Sequence, residues 1–332
     1  MEASLAKSTV TEIDSEITWK NRFDHFLARW SWKRNEHLVE PGLYALGKPT
    51  KESPVFVTAN YTLSFDALRS SLKGIDCYIL VLNTYGINVW CAAGKGTFGT
   101  DELVNRIALT GLANVVSHKK LILPQLGAPG VNAFEVTKRS GFKVEYGPIR
   151  AADIPEYLRT GKATPEMRRV KFPVADRIVL IPVELVASLI PAILLTIAGF
   201  LTGGLVSALA AVTAVLAGVV LFPVLLPYLP TKDYSTKGLF LGLVLALPFA
   251  GYTYLSNSPA TVWTVLWMLT FLLIMPPITA YLSLNFTGST PYPSRTGVRK
   301  EIYRYIPVMA VMAGIGTLIQ LTVAALNFLK VI

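Results

Sequence analysis

Two patterns of hydrophobic positions divide the chain near residue 178. Before that point, short apolar runs alternate with segments whose apolar residues recur at helical spacing. After it, apolar stretches reach the roughly 20 residues that an α-helix needs to cross a bilayer. The pattern predicts a soluble domain of ordinary size followed by a membrane domain.

The soluble half is predicted to alternate strands with helices. The predicted strands are 55–59, 77–82, 120–123 and 142–146, and the predicted helices are 64–72, 101–112, 133–140 and 154–159. Such alternation favours a mostly parallel sheet with helices on both faces, that is, an α/β Rossmann-like domain. Ligands of these sheets bind beyond the carboxyl ends of the strands. The sequence there is small, polar or glycine-rich, at 58–62, 83–86 and 125–130.

The membrane half is predicted to be all-α, with five transmembrane helices. The expected spans are 181–201, 205–226, 239–255, 262–284 and 306–328. Basic residues precede the first span and occupy the second and fourth connections, whereas the first and third connections carry no charge. Since positive charge stays on the cytoplasmic side, we expect a multi-pass protein of the cell (inner) membrane. The soluble domain would be cytoplasmic and the C-terminus outside.

Four regions follow from these patterns. They are an N-terminal aromatic amphipathic segment (1–40), a cytoplasmic domain (41–165), a basic juxtamembrane linker (166–180) and the transmembrane domain (181–332). The first segment has no apolar core of a signal peptide. Its aromatic residues recur near helical spacing, so it either docks on the domain or lies at the membrane surface. These residues are Trp19, Phe23, Phe26, Leu27, Trp30 and Trp32.

Composition narrows the possible partners. The net charge of +10 comes from basic residues beside the apolar spans, which argues against nucleic-acid binding. Of the two cysteines, Cys77 lies in an apolar run and is expected to be an inert core residue. The chain has no Cys-x-x-Cys pair, so it is not expected to hold an iron–sulfur cluster alone. Low-potential electrons would have to come from a partner.

Cys91 lies where the segment after a predicted strand turns into a glycine-rich helix start. A thiolate at a helix N-terminus has a lowered pKa and is available as a soft metal ligand. The following Gly94-Lys95-Gly96-Thr97-Phe98-Gly99 matches a dinucleotide-binding pattern. However, the acid expected about 20 residues later is missing, and the P-loop pattern fails as well. Two alternatives stay open: a nucleotide site, and a small core cysteine beside glycines that only turn the chain.

The segment Asn88-Val89-Trp90-Cys91-Ala92-Ala93-Gly94-Lys95 is similar to the cap-helix motif of the mercury-methylating corrinoid proteins, the HgcA family. The similarity extends to residues 97–100, 57–61 and 125–130 and to the order of domains, and covers about 40–332. The corrinoid iron–sulfur protein of the acetyl-CoA pathway is related to that family and has a similar domain without this cysteine.

The resemblance implies a cobalamin-type corrinoid, bound base-off, with the Cys91 thiolate as the lower cobalt ligand. Cys91 would thus be both the metal ligand and the catalytic residue. The helix that holds its sulfur would consist of Asn88, Val89, Trp90, Ala92, Ala93 and Gly94. The cofactor pocket would be lined by Thr58, Asn60, Thr62, Gln125, Gly127 and Ala128. Lys95 would favour the thiolate, contact the corrinoid or simply be solvated.

The implied activity is transfer of a methyl group from cobalt to inorganic Hg(II), which gives methylmercury. Because Hg(II) is an electrophile, the methyl group must leave with its bonding electrons or as a radical, and a thiolate opposite to it donates electron density. The implied partners are a ferredoxin-like protein with two [4Fe–4S] clusters, a methyl donor protein or methyltetrahydrofolate pathway, and the lipid bilayer. An alternative is a membrane-bound corrinoid carrier or sensor without mercury turnover.

Overall fold

The computed structural model describes residues 10–257 and 259–329 and consists of two compact units that divide after Val170. In the first unit the strands are β1 (Val10–Ile13), β2 (Gly42–Leu46), β3 (Val55–Ala59), β4 (Cys77–Leu82), β5 (Lys120–Leu123) and β6 (Lys143–Tyr146). The helices are α1 (Trp19–Trp30), α2 (Thr62–Ser71), α3 (Val89–Lys95), α4 (Thr100–Leu109), α5 (Leu112–Val115), α6 (Ala133–Ser140) and α7 (Ile154–Thr160).

The six strands form one mixed sheet in the order β1-β2-β4-β3-β5-β6. All neighbouring strands are parallel except β2 and β4, which are antiparallel. The predicted bounds of β3, β4 and β5 are confirmed, and β6 begins one residue later than predicted. The sequence patterns did not predict β1 and β2. The N-terminal segment predicted at 1–40 therefore is not separate from the domain, because it contains β1, a strand of this sheet. Residues 1–9 lie outside the described residues.

Helices cover both faces of the sheet. Alternate residues of β4 belong to two hydrophobic cores: Leu80 packs with Leu103 and Val136 of α4 and α6, and Ile79 packs with Phe65 and Tyr157 of α2 and α7. All six residues of β4 are therefore buried, which explains why this strand is a continuous apolar run. The predicted α/β architecture with two helical layers is confirmed.

The second unit is helical. Its helices are α8 (Val174–Ile178), α9 (Ile181–Leu216), α10 (Phe222–Leu225), α11 (Tyr234–Ser256), α12 (Val262–Asn285) and α13 (Arg295–Phe328), with a π-helical segment, Ala217–Leu221, after α9. Among residues 10–257 and 259–329, four stretches are long and apolar enough to cross a membrane: Val174–Leu225, Tyr234–Ser256, Val262–Ser289 and Arg295–Phe328. The predicted linker at 166–180 contains the boundary between the two units.

The first of these stretches contains a sharp break at Gly203 and Gly204. Gly204 has φ 63° and ψ −157°, a conformation essentially restricted to glycine. A Cβ atom on Gly199 would lie 2.8 Å from the carbonyl oxygen of Ser207, although residues eight apart in a straight helix are about 12 Å apart. The chain therefore folds back sharply at the break, so that the two legs of α9 on either side of it come into contact there. This is where the sequence places the boundary between its first two spans; the count of five spans stays a prediction.

Candidate functional site

The candidate site lies at the carboxyl edge of the parallel strands. β4, β3, β5 and β6 are parallel neighbours, so the segments that follow them emerge at the same edge of the sheet. The segment after β4 forms α3, which contacts β3 and the 3-10 turn Gln125–Gly127 that follows β5. The elements that carry the predicted site residues therefore meet at this edge.

Side-chain and backbone caps define both ends of α3. The Oδ1 atom of Asn88 accepts a hydrogen bond of 2.9 Å from the backbone N–H of Cys91, which places Cys91 in the first turn. At the other end Gly96 has φ 85° and its N–H donates to the carbonyl oxygen of Ala92. The sequence therefore limits α3 to two turns.

One face of α3 is buried and the opposite face is accessible. Val89, Ala92 and Ala93 are buried in the core of the sheet. At 3.6 residues per turn, Trp90, Cys91, Gly94 and Lys95 lie on the other side, where the first three are half-buried and Lys95 is exposed. The thiol of Cys91 thus belongs to the outward face, with Lys95 one turn further along it and Gly94, which has no side chain, between them.

The connection between β4 and α3 is anchored to a buried amide. The Oδ1 atom of Asn60 accepts hydrogen bonds from the N–H and hydroxyl of Thr84, at 3.0 and 2.9 Å, and from the N–H of Gly86 at 3.1 Å. The carboxylate of Glu102 accepts the N–H of Asn83 at 2.8 Å and forms an ion pair with Arg106. Asn60 therefore supports the loop that leads into α3.

Two other predicted pocket residues are buried in the same region. Thr58 belongs to β3 and is almost completely buried. Thr62 begins α2, and its N–H donates to the carbonyl oxygen of His37 at 3.1 Å. Thr58 and Thr62 are thus packed inside the domain. Cys91 and Lys95, by contrast, lie on the outward face of α3.

The loop after β5 packs closely against the segment that carries α3. A Cβ atom on Gly127 would lie 2.6 Å from the Phe98 ring. A Cβ atom on Gly130 would lie 2.2 Å from the carbonyl oxygen of Phe98 and 2.9 Å from the Cα atom of Ala93. Glycine at both positions allows this approach. Gln125 accepts a hydrogen bond from the Arg168 guanidinium, and Ala128 is half-buried beside it.

Three supporting residues were not among the predicted site residues. Glu102 and Thr84 hold the β4–α3 loop, and Phe98 fills the space between α3 and the loop after β5. Thr84 and Phe98 lie in segments that the sequence singled out, 83–86 and 97–100, and the spacing of Glu102 and Arg106 suits an ion pair on one helix face. Their contacts with Asn83, Asn60 and Gly127 depend on the fold.

The second cysteine has a different environment. Cys77 begins β4, is fully buried and packs with Phe65 and Leu68 in the core on the α2 side. Burial, with a smaller contribution from Asp76, raises the pKa of its thiol to about 12. Cys77 is therefore a protonated core residue at neutral pH, as the sequence predicts.

Comparisons with known proteins match the first unit. Residues 33–158 match the family profile of the CO dehydrogenase/acetyl-CoA synthase delta subunit. The acetyl-CoA decarbonylase/synthase complex subunit gamma of Methanopyrus kandleri is 33% identical over 127 residues, which are 38% of this chain and 27% of that protein. The corresponding subunit of Archaeoglobus fulgidus is 35% identical over 122 residues, 36% of this chain and 26% of that protein.

The family match, over residues 33–158, includes all of the predicted site residues. The chain spans only about a quarter of the length of the curated relatives, with 27% and 26% of them covered. The first unit is therefore similar in sequence to subunits of the acetyl-CoA synthase complexes, and that part of the resemblance found in the sequence is confirmed. The resemblance to the mercury-methylating proteins stays a prediction.

Proposed function

We propose that this chain is a membrane-anchored, corrinoid-dependent methyltransferase. In this proposal the Cys91 thiolate is the lower ligand of cobalt and Hg(II) is the methyl acceptor. The observation that carries the proposal is the position of Cys91 on the outward face of α3, at the carboxyl edge of a sheet whose domain is similar to acetyl-CoA synthase subunits.

The donor set of the site fits a corrinoid. Within residues 10–257 and 259–329, no three His, Cys, Asp or Glu side chains come together in a way that could hold a metal. A metal bound by Cys91 would therefore need most of its ligands from a cofactor, and a corrin ring supplies four nitrogens. Gly94 leaves the surface beside Cys91 without a side chain, which suits a flat ring.

We assign a role to four residues of α3 and its N-cap. Asn88 fixes the backbone at Cys91, and the buried Ala92 and Ala93 hold the helix against the sheet. The positive charge of Lys95, one turn away, favours the thiolate form of Cys91. When bound, a corrinoid would supply a cobalt that can carry a methyl group, and Cys91 would be the protein ligand that donates electron density to that cobalt.

The proposal includes an orientation in the cell membrane and several partners. The two legs of α9 would be separate spans, which gives five spans in total, a cytoplasmic first unit and an external C-terminus. Because the chain has two cysteines, fewer than the four that a [4Fe–4S] cluster requires, a ferredoxin-like protein with two such clusters would supply electrons. A methyl donor protein or the methyltetrahydrofolate pathway would supply the methyl group.

The experiment uses the full chain, purified without oxygen and loaded with methylcobalamin. We expect bound cobalt, an absorbance spectrum that reports thiolate ligation, and methylmercury after Hg(II) is added. In Cys91→Ala the thiolate-dependent spectrum and methylmercury formation should both be lost. Cys77→Ala is the matched control, because it removes the buried thiol and should keep both.

The outcomes separate the parts of the proposal. Methylmercury formation by Cys91→Ala at the original rate would refute the ligand role. A cysteine-dependent spectrum without methylmercury would reject mercury as the acceptor and favour a carrier or sensor. Retention of a nucleotide without cobalt would reject the corrinoid and favour a nucleotide site.

A further inference from the structure

Helix α1 is attached to the first unit through its polar side. Ala28 is fully buried, and the Nε2 atom of His25 lies 2.7 Å from Oδ2 of Asp66 on α2. The Nδ1 atom of His37 lies 2.6 Å from Oδ1 of Asp24. Burial alone would raise the pKa of Asp66, but hydrogen bonds from His25 and Arg69 outweigh it and lower the pKa, so Asp66 is charged at neutral pH.

The opposite side of α1 is an exposed aromatic stripe, defined as Trp19, Phe23, Phe26, Leu27 and Trp30. Trp19, Phe23 and Phe26 are 72%, 55% and 52% exposed. At about 100° per residue, the five side chains occupy roughly 100° of the helix circumference. Lys20 and Arg22 lie at the two edges of this stripe, and both are exposed. The one acid of α1, Asp24, lies on the other side and bonds to His37.

This orientation is the reverse of that of most surface helices in soluble domains. Such helices bury their apolar side and expose their polar side. Here the polar side makes the hydrogen bonds to the domain and the large apolar side chains face outward. An apolar face of Trp, Phe and Leu with basic residues along its edges is typical of helices that lie in the interfacial region of a membrane.

We propose that the aromatic stripe of α1 inserts into the headgroup region of a bilayer with anionic lipids. The inference rests on the proposed anchoring of the chain in a membrane. A chain anchored in this way presents α1 to the bilayer at a high effective concentration. Lys20 and Arg22 would contact lipid phosphates, while the indole rings of Trp19 and Trp30 would lie between headgroups and acyl chains. A second copy of α1 fits less well, because its stripe carries the same positive edges and no acid.

The test uses the full chain in vesicles of phosphatidylglycerol and phosphatidylcholine. The photoreactive amino acid p-benzoylphenylalanine replaces one residue at a time, and adducts are identified by mass spectrometry after irradiation. Phe26 is the test position. Phe134, 73% exposed on α6 at the other face of the sheet, is the matched control, and Leu194, 62% exposed on α9, reports bilayer anchoring. We expect several times more lipid adduct at Phe26 than at Phe134.

A charge-reversed variant tests the basic edges. Lys20→Glu combined with Arg22→Glu should remove most of the lipid adduct at Phe26 and leave the adduct at Leu194 unchanged. Vesicles of phosphatidylcholine alone should give the same selective loss. An undiminished Phe26 adduct in both cases would overturn the role of anionic lipid.

The failures of the two proposals are distinguishable. Lipid adducts at Leu194 with no more adduct at Phe26 than at Phe134 would overturn the docking of α1 and leave the anchoring in place. Adducts of Phe26 with a second copy of the chain would overturn it in favour of self-association. A lack of lipid adducts at Leu194 would overturn the anchoring and this inference together.

Discussion

The two cysteines lie at opposite ends of a short stretch of chain and have opposite environments. Cys77 begins β4 in the core, where burial raises the pKa of its thiol to about 12. Cys91 follows the same strand, on the outward face of α3. The residue type is the same, so the difference comes from the connection after β4. That connection, fixed by Asn60 and Glu102, brings one thiol out to the edge of the sheet.

The largest expected effect is a difference in thiol reactivity. At pH 8 a thiol with a pKa of about 12 is a thiolate in roughly one molecule in ten thousand, and Cys77 is also shielded from solvent. In cofactor-depleted chain we therefore expect iodoacetamide to label Cys91 rapidly and Cys77 only after denaturation. Peptide mass spectrometry measures both rates. Equal rates in the folded chain would contradict the contrast, and loading with cobalamin should protect Cys91.

The next effect tests the anchor of the β4–α3 connection. Asn60→Ala leaves the N–H groups of Thr84 and Gly86 without their acceptor, whereas the Thr84 hydroxyl can still donate to the carbonyl oxygen of Ile87 at 2.7 Å. Since an unsatisfied buried donor costs about 1–3 kcal/mol, we expect the free energy of local opening to fall by about 3 kcal/mol. Hydrogen exchange at Thr84 and Gly86 measures it. The exposed Asn114→Ala is the control, and unchanged protection in Asn60→Ala would refute the anchoring role.

A smaller effect is expected from the packing of the loop after β5. Gly130→Ala would place a Cβ atom 2.2 Å from the Phe98 carbonyl oxygen and 2.9 Å from the Ala93 Cα atom, so α3 must shift. Overpacking of this kind costs about 1–3 kcal/mol, and we expect weaker cobalamin retention although Cys91 is intact. Equilibrium dialysis measures the retention. Gly42→Ala, whose Cβ atom would meet no atom within 4 Å, should retain cobalamin normally.

The smallest effect concerns the cap of α3. Asn88→Ala removes the 2.9 Å hydrogen bond to the N–H of Cys91 and should destabilise the first turn by about 1 kcal/mol. Asn88→Ser keeps a capping oxygen and should restore most of the difference. Hydrogen exchange at Cys91 is the measurement. If the alanine and serine variants exchanged equally fast, the cap would not be what holds Cys91 in place.

Local sequence predicted β3, β4, β5 and β6 well and missed β1 and β2 at one side of the sheet. β3 and β4 are buried at every residue and β5 at every residue after Lys120, because central parallel strands are buried on both faces, and their sequences are mostly apolar. By contrast, β1 has four residues with the burial pattern of an edge strand, and its pairing with β2 joins residues 10–13 to 43–46. A pattern within either segment does not reveal that pairing.

The candidate site also has features that the local sequence predicted and features that depend on contacts between distant residues. The sequence indicated the start of a short helix at Cys91, the glycine-rich segment after it and the residues beyond the carboxyl ends of the strands. The role of Asn60 depends on bonds to Thr84 and Gly86, and the need for glycine at position 130 depends on Phe98 and Ala93. These contacts join residues that are far apart in the chain.

The sequence by itself determined the alternation of strands and helices, the apolar helices of the second unit and the existence of an aromatic helix near the N-terminus, because each has a local periodicity. The tertiary structure decided which side of each helix is accessible. It turned the aromatic stripe of α1 outward through His25 and Asp66, and it left Cys91 at the surface of α3 by burying Val89, Ala92 and Ala93. Periodicity shows that a helix has two sides, but only its packing partners determine which side faces out.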